Sequence, residues 1–250
     1  MRKWRHLLLL ALLGSLAAPA AAQRVSLELM LALDVSHSIG EDEQRFQVEG
    51  IAQAFRDRRL IDAVAGLAPG GMAVAVMIWA GQKQQRLMLP WRVLETADDC
   101  LAFAHDLKAA KLERWPGLTY TAIGSALAHA TAEIDSNGVE GERLVIDISG
   151  DDPSNQGRAP DEVRDELIER GIVINGLPIL SGRLEHEERA DLVRYYRERV
   201  AGGPASFVMP ALSRKDFRRA MTNKLLREIS GLPVPDRVAD SEPSTARNGG

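Results

Sequence analysis

The chain has 250 residues, with 35 acidic against 31 basic side chains, and 45% of its residues are hydrophobic. This length and apolar content suit one domain with a substantial core. The acidic balance argues against nucleic-acid binding, which needs a basic face, and the single cysteine, Cys100, excludes an intramolecular disulfide.

The N-terminal segment has the pattern of a secretory signal peptide. Three basic side chains lie within residues 2–5, an apolar run covers 7–13, and small residues continue to Ala22. Because the run is too short to span a bilayer comfortably, cleavage after Ala22 is favoured over an uncleaved membrane anchor. We therefore expect 1–22 to be a signal peptide. The protein is then exported, periplasmic or secreted, with no transmembrane segment in the mature chain.

The rest of the chain alternates apolar runs with stretches of helical periodicity. The residue pattern predicts strands at 25–33, 72–81, 143–149, 171–179 and 205–210, and helices at 41–67, 96–112, 122–134, 161–170, 185–200 and 214–229. The run 86–94 contains Pro90 and is predicted to be an edge strand. Such alternation is typical of βαβ units.

The predicted fold class is therefore α/β: a doubly wound, mostly parallel central sheet with one antiparallel edge strand and helices on both faces. We assign this domain to residues 23–231. The tail 232–250 is rich in Pro, Ser and Gly and almost without apolar residues, so it is predicted to be disordered.

Oxygen-bearing side chains lie at the ends of three of the predicted elements. Asp34, Ser36 and Ser38 come at the end of the first strand, Thr121 lies just before a helix, and Asp151 ends a later strand. In doubly wound sheets, the ligand site lies beyond the carboxyl ends of the strands. Carboxylates and hydroxyls meeting there suit a hard divalent cation, Mg²⁺ most readily, with Mn²⁺ or Ca²⁺ as alternatives.

Helix capping is the competing explanation for the first of these segments. Ser38 and Glu41 have the spacing of a capping box. Capping explains Ser38, but it does not explain Asp34 at a strand end or the matching Thr121 and Asp151.

Three other side chains are expected to have no role in the site. His37 is expected to be a structural histidine, and Asp152 is expected to face water. Cys100 shares a predicted helical stripe with Phe103 and Leu107, so we expect a small buried apolar residue and not a nucleophile.

These segments resemble a von Willebrand factor A (VWA) domain with a metal-ion-dependent adhesion site (MIDAS). Residues 34–38 match the family's Asp-x-Ser-x-Ser pattern, 121–127 match its threonine loop, and Asp151 matches its later aspartate. The segments occur in the family's order, and the resemblance covers about residues 25–229. The whole chain also resembles a bacterial group of exported VWA-like proteins of unknown function.

The resemblance implies a Rossmann-like fold and a division of roles. Ser36 and Ser38 would bind the metal directly, Thr121 would do so when a ligand is engaged, and Asp34 and Asp151 would act mostly through water. The open coordination position would take a Glu or Asp carboxylate from a partner protein. One departure is that Thr119 and Tyr120 replace the small Gly pair usual in the family.

The predicted function is that of an exported binding module, not an enzyme, which engages an acidic group of a partner through a divalent cation. A metal-dependent hydrolase remains an alternative, although Gly-x-Ser-x-Gly, Walker-type and His-Glu-x-x-His motifs are absent from the sequence. A scaffold protein with a vestigial metal site is the other alternative.

Overall fold

The computed structural model describes residues 22–111, 115, 117, 120–180, 185–211 and 214–230, with the side chains of 214–217 outside the description. Nearly all of the predicted signal peptide 1–22 and the whole predicted tail 232–250 lie outside these ranges. The boundaries of the domain at 23–231 therefore stay predictions.

The centre of the fold is a five-stranded sheet. Its strands are β1 (Gln23–Asp34), β2 (Met72–Trp79), β3 (Gln85–Leu94), β4 (Val139–Gly150) and β5 (Ile172–Pro178). They lie in the order β3-β2-β1-β4-β5, and every neighbouring pair is parallel except β2 with β3. The predicted mostly parallel sheet with an antiparallel edge strand is confirmed, with Pro90 in that edge strand, where a missing N–H is tolerated.

Helices cover both faces of the sheet. The helices are α1 (Glu41–Ala54), α2 (Arg58–Ala65), α3 (Ala97–Ala109), α4 (Ile123–Ser136), α5 (Pro160–Glu169), α6 (His186–Tyr195) and α7 (Arg214–Ser230). Helices α1, α2, α3 and α7 pack on one face, and α4, α5 and α6 pack on the other. Within the described ranges, no helix is both long and apolar enough to cross a bilayer.

The strands are apolar on both sides because both faces are covered. Leu29, Leu31 and Leu33 of β1 join the core under the first group of helices, whereas Met30 and Ala32 join the core under the second. Strands buried on both faces have near-continuous apolar sequences rather than alternating ones. This arrangement leaves the carboxyl ends of β1, β2 and β4 together at one edge of the sheet.

Two predicted elements differ in the structure. The helix expected over 41–67 is two helices, because the Asp57 carboxylate accepts a hydrogen bond from the Arg59 N–H at 2.9 Å and begins a new helix. The strand expected over 205–210 forms only isolated bridges. There Ala205 has a positive φ of 59°, and the Phe207 N–H donates to the side chain of Asn175 instead of to a strand.

Candidate metal centre

The predicted site residues lie at the carboxyl edge of the sheet. Asp34 is the last residue of β1, and Asp151 follows the last residue of β4. The two strands are hydrogen-bonded neighbours, with Leu33 opposite Ser149. Parallel pairing of these strands therefore brings together carboxylates that are far apart in sequence.

A chain of hydrogen bonds connects four of the five predicted residues. The Ser36 N–H donates to Asp34 Oδ1 at 2.7 Å, and Ser36 Oγ lies 3.1 Å from Ser38 Oγ. The Ser38 hydroxyl then donates to Asp151 Oδ1 at 2.5 Å. The turn after β1 thus folds back, so that its hydroxyls lie between the two carboxylates.

Thr121, the fifth predicted residue, is fixed at the same edge through its backbone. The Thr121 N–H donates to Asn155 Oδ1, and the Asn155 N–H donates to the Thr121 carbonyl, both at 2.8 Å. The next residue, Ala122, donates its N–H to the Ala80 carbonyl just beyond β2. Thr121 is buried between the end of β2 and the loop after β4.

The loop after β4 supplies supporting residues that sequence reasoning did not single out. Asn155 holds the Thr121 backbone, and the Ser154 hydroxyl donates to the Thr121 carbonyl at 3.2 Å while accepting from the Ile123 N–H. The sequence feature that could have indicated Ser154 and Asn155 is their position in the segment 152–155, directly after Asp151. Such short polar side chains often bond the backbone of a loop.

The pKa of the Asp34 carboxylate is strongly perturbed. Burial raises its pKa well above the usual value, and the carboxylates of Asp151 and Asp152 raise it further, whereas the Ser36 N–H lowers it. Its Oδ2 is buried without a hydrogen-bond donor among the described residues. A buried carboxylate in this state is unfavourable unless a cation or a proton joins it.

These residues fit a divalent cation of the hard class. The available ligands are carboxylate and hydroxyl oxygens, and the unsatisfied oxygen of Asp34 is a group that a cation would stabilise. In the described part of the chain there is no group of three or more His, Cys, Asp or Glu placed to hold a metal. The candidate site therefore depends on serine and threonine hydroxyls in addition to two carboxylates.

A charged groove of about 460 Å³ opens beside Asp151. Its floor includes Asp152 and Pro153, and its wall comes from α6 and the turn that follows, with Glu188, Tyr195 and Arg199 among the lining residues. The Tyr195 hydroxyl accepts a hydrogen bond from the Ser154 N–H at 3.1 Å. The groove is thus continuous with the loop that holds Thr121.

The predictions for residues next to the site residues have mixed outcomes. The side chain of His37, which was expected to be a structural histidine and not a ligand, is exposed. Asp152 is half-buried, so it reaches solvent only in part. Tyr120 is 50% exposed, and Thr119 lies outside the described residues.

Cys100 is a buried core residue, as predicted. Its side chain packs in the core beside Phe103 and Leu107. Burial, together with the charge of Asp99, raises the pKa of the thiol to about 11. The thiol is therefore protonated and unreactive at neutral pH.

Tyr196 is a buried neighbour of the candidate site that the sequence pattern did not indicate. It is fully buried, its ring joins the core under α4, α5 and α6, and its hydroxyl lies near Asp34. Burial raises the pKa of Tyr196 well above the usual value, and the charges of Asp34 and Asp151 raise it further. No local pattern marks this tyrosine, because Tyr196 looks like one more apolar position of a helix.

A family model matches residues 24–233, which is most of the chain, and carries the description "Protein of unknown function (DUF1194)". The chain belongs to this family. A sequence search among curated proteins finds no match for this DUF1194 chain.

Solved structures show what the DUF1194 fold is similar to. Proximal thread matrix protein 1 from the mussel byssus matches with a TM-score of 0.56 at 17% identity over 84% of this chain and 47% of the mussel chain. Conserved hypothetical protein BatB from Bacteroides thetaiotaomicron matches with a TM-score of 0.53 at 18% identity, over 83% and 100% of the two chains. The SpRpn10 VWA domain matches with a TM-score of 0.51 at 12% identity, over 78% and 93%.

These similarities confirm that the DUF1194 chain has the VWA fold. The chain spans about half the length of the mussel protein that it matches. Another structure of that mussel protein, with a TM-score of 0.55 at 18% identity over 84% of this chain and 49% of that one, has a zinc-occupied MIDAS motif. At such low identity the likeness establishes the fold alone.

Proposed function

We propose that this DUF1194 protein is an exported binding module that engages an acidic group of a partner protein through a divalent cation. The cation is held by Asp34, Ser36, Ser38, Thr121 and Asp151, and Mg²⁺ is the expected ion. The module catalyses nothing.

One observation carries this proposal: Asp34 is a buried carboxylate whose Oδ2 has no hydrogen-bond partner in the described structure. The charged groups that act on it are the like charges of Asp151 and Asp152. A divalent cation beside Asp34 would convert this repulsion into attraction.

The donor set also supports binding over catalysis. Ser36, Ser38 and Thr121 would add neutral oxygens, so a cation held by them and two carboxylates keeps its affinity for a third carboxylate. A charge-assisted contact of this kind is directional and strong in a partly desolvated site. A solved structure of similar fold has a zinc-occupied MIDAS motif, which supports this assignment.

Calorimetric titration of the purified protein with Mg²⁺, Mn²⁺ and Ca²⁺ tests the metal site. We expect one ion per chain and no binding by Asp34→Ala, which removes a carboxylate from the site. Asp42→Ala is the matched control, because Asp42 is exposed on α1. Full binding by Asp34→Ala would contradict the proposed ligand set.

Affinity capture from an exported fraction, with Mg²⁺ and with EDTA, tests the binding role. A partner should be retained only with Mg²⁺ and lost with Asp34→Ala. Replacing the partner's acidic residues one at a time by Asn or Gln should then identify one side chain that is required. Capture that survives both EDTA and Asp34→Ala would place the binding surface elsewhere.

The hydrolase alternative makes a different prediction. It requires turnover of a generic phosphoester such as p-nitrophenyl phosphate in the presence of Mn²⁺, with loss of that turnover in Asp34→Ala. Export has its own test, since mass spectrometry of the exported protein should find Gln23 at the N-terminus.

A further inference from the structure

Two polar atoms beside Gly150, one from Asp34 and one from Tyr196, lack hydrogen-bond partners among the described residues. Asp34 Oδ2 and Tyr196 Oη are both buried, and neither has a hydrogen-bond partner among the described residues. Both lie against Gly150: a Cβ atom built there would be 2.8 Å from Asp34 Oδ2 and 2.7 Å from Tyr196 Oη. Unsatisfied buried polar groups are rare in native proteins, so a neighbouring pair requires an explanation.

Two glycines make the space that Tyr196 occupies. A Cβ atom at Gly150 of β4 would collide with the Tyr196 hydroxyl, and a Cβ atom at Gly176 of β5 would come within 2.8 Å of Cδ1 of its ring. Gly176 lies opposite Ile148 in the register of the two strands. The sheet thus has a slot that directs the ring along β4 and β5 towards the end of β1.

The backbone around Tyr196 is also unusual. A π-helical turn, Tyr196–Val200, follows α6 directly, and the Ala201 N–H donates to the Tyr196 carbonyl at 2.8 Å. Such turns change the face on which the following side chains lie, and they occur often at functional sites. The slot and the turn are independent features of the chain, and they involve the same tyrosine.

We propose that Tyr196 is a positioning residue for the metal site: its hydroxyl donates a hydrogen bond to the Asp34 carboxylate when the site holds a divalent cation. This inference rests on the proposed function only in requiring that Asp34 serve a bound cation. Asp34 Oδ1 already accepts from the Ser36 N–H. A donor at Oδ2 fixes the rotation of the carboxylate, and groups that support metal ligands in this way commonly change metal affinity 10–100-fold.

A purely structural role for the Tyr196 hydroxyl predicts that Tyr196→Phe lowers the melting temperature in EDTA and leaves metal affinity unchanged. In the structure the hydroxyl is buried without a hydrogen-bond partner among the described residues, which destabilises the metal-free fold. Tyr196→Phe removes the oxygen and keeps the ring in its glycine slot. Under the proposal, Tyr196→Phe should leave the metal-free melting temperature unchanged or raise it, while metal affinity falls.

Calorimetric titration of wild type and Tyr196→Phe with Mg²⁺ alone measures this difference. We expect a fall in affinity of about 10–100-fold, together with an unchanged or higher melting temperature in EDTA. Tyr120→Phe is the matched control, because it removes an exposed hydroxyl from the segment beside Thr121. Its affinity should stay within about twofold of wild type.

The outcomes separate the two proposals. Equal Mg²⁺ affinity in wild type and Tyr196→Phe overturns the role of Tyr196 and leaves the proposed function intact. Absence of Mg²⁺ binding by wild type overturns both. Weakened Mg²⁺ binding in Tyr196→Phe, with no cation-dependent partner in any capture, supports the role of Tyr196 and contradicts the proposed function.

A measurement on the wild-type protein covers the case in which Tyr196→Phe does not fold. The ¹³Cζ resonance of Tyr196 can be assigned by elimination, using Tyr120→Phe and Tyr195→Phe, because the chain has three tyrosines. Saturation with Mg²⁺ should shift this resonance as the hydroxyl gains an acceptor. A resonance that is identical in Mg²⁺ and in EDTA would overturn the proposal.

Discussion

Two groups of carboxylates are buried in the part of the chain that the structure describes, and they differ in what balances their charge. The first is the edge group, made of Asp34, Ser36, Ser38 and Asp151. The second, which we call the α7 cluster, consists of Asp147, Lys224 and Glu228 and lies between the sheet and α7. Both contain two acidic side chains with little or no exposure to solvent.

The α7 cluster has its own cation. The Lys224 ammonium pairs with Asp147 and, at 2.8 Å, with Glu228, and it is fully buried. Asn175 donates to Glu228 Oε1 at 3.0 Å. Although burial lowers the pKa of Lys224, the charges of Asp147 and Glu228 raise it overall, so the lysine stays charged.

The edge group has hydroxyls where the α7 cluster has an ammonium. Around Asp34, the described partners are the N–H and the side chain of Ser36 and the like charges of Asp151 and Asp152. Burial of a charge is tolerated when an opposite charge accompanies it. The comparison teaches that the α7 cluster contains its own counter-charge, although Asp147 Oδ2 and Glu228 Oε2 also lack a hydrogen-bond partner among the described residues, whereas the described surroundings of Asp34 are suited to a cation from solution.

The largest expected effect comes from removing the cation of the α7 cluster. Lys224→Met removes the ammonium that pairs with both buried carboxylates, and we expect a loss of about 3–5 kcal/mol in the free energy of unfolding. Urea denaturation measures it. Lys83→Met, at an exposed position, should change stability by less than about 0.5 kcal/mol.

A rescue experiment sharpens this prediction. Adding Asp147→Leu and Glu228→Leu to Lys224→Met removes the uncompensated charges, so most of the lost stability should return. A loss below about 1 kcal/mol in the single Lys224→Met variant would show that the ammonium does not balance the cluster.

The second prediction concerns the stability that the edge group gains when a divalent cation is added. Mg²⁺ at about 100 times its dissociation constant should stabilise the wild-type protein by about 2.7 kcal/mol, if it binds the folded state alone. Asp34→Asn should gain nothing from Mg²⁺, and its metal-free form should be no less stable than wild type, because an amide does not repel Asp151. Denaturation curves in EDTA and in Mg²⁺ measure both effects. Identical curves for wild type in the two conditions would make the site vestigial.

The third prediction concerns the pH dependence of the α7 cluster. Burial and the charge of Glu228 raise the pKa of Asp147 to about 7, against the lowering effect of Lys224. The folded state therefore binds a proton that the unfolded state has released between about pH 4 and pH 7. In this window the contribution of Asp147 to stability should fall as pH rises, by about 1.4 kcal/mol per pH unit, and the fall should end above pH 7.

Asp147→Asn isolates that contribution from the other carboxylates. Urea denaturation at a series of pH values in EDTA should give a curve with less slope than wild type between about pH 4 and pH 7. The same slope in both proteins would mean that Asp147 does not hold the proton.

The smallest expected effect is at the rim of the edge group. Asp152 is half-buried and lines the groove beside Asp151, so its charge acts on a bound ion through solvent. Asp152→Asn should change Mg²⁺ affinity by no more than about twofold. A tenfold loss by calorimetry would instead make Asp152 a ligand and move the site towards the groove.

The sequence by itself determined the class of the fold and where a site should lie. Apolar runs located all five strands, although β4 is longer than its apolar part, and Pro90 identified the edge strand correctly. The sequence also placed the motif at residues 34–38 after one strand and Asp151 after another, and these two strands are neighbours in the sheet. These features are local patterns with fixed periods, so they can be read without knowing the packing.

The tertiary structure alone decided which distant side chains meet. Nothing local indicates that Lys224 pairs with Asp147, or that Tyr196 reaches Asp34 through a slot left by Gly150 and Gly176. Each contact depends on strand order, on helix rotation and, for Tyr196, on a π-helical turn. Because burial changes the energy of a charge far more than local sequence does, the chemistry of both carboxylate groups becomes visible only once the sheet and its helices are assembled.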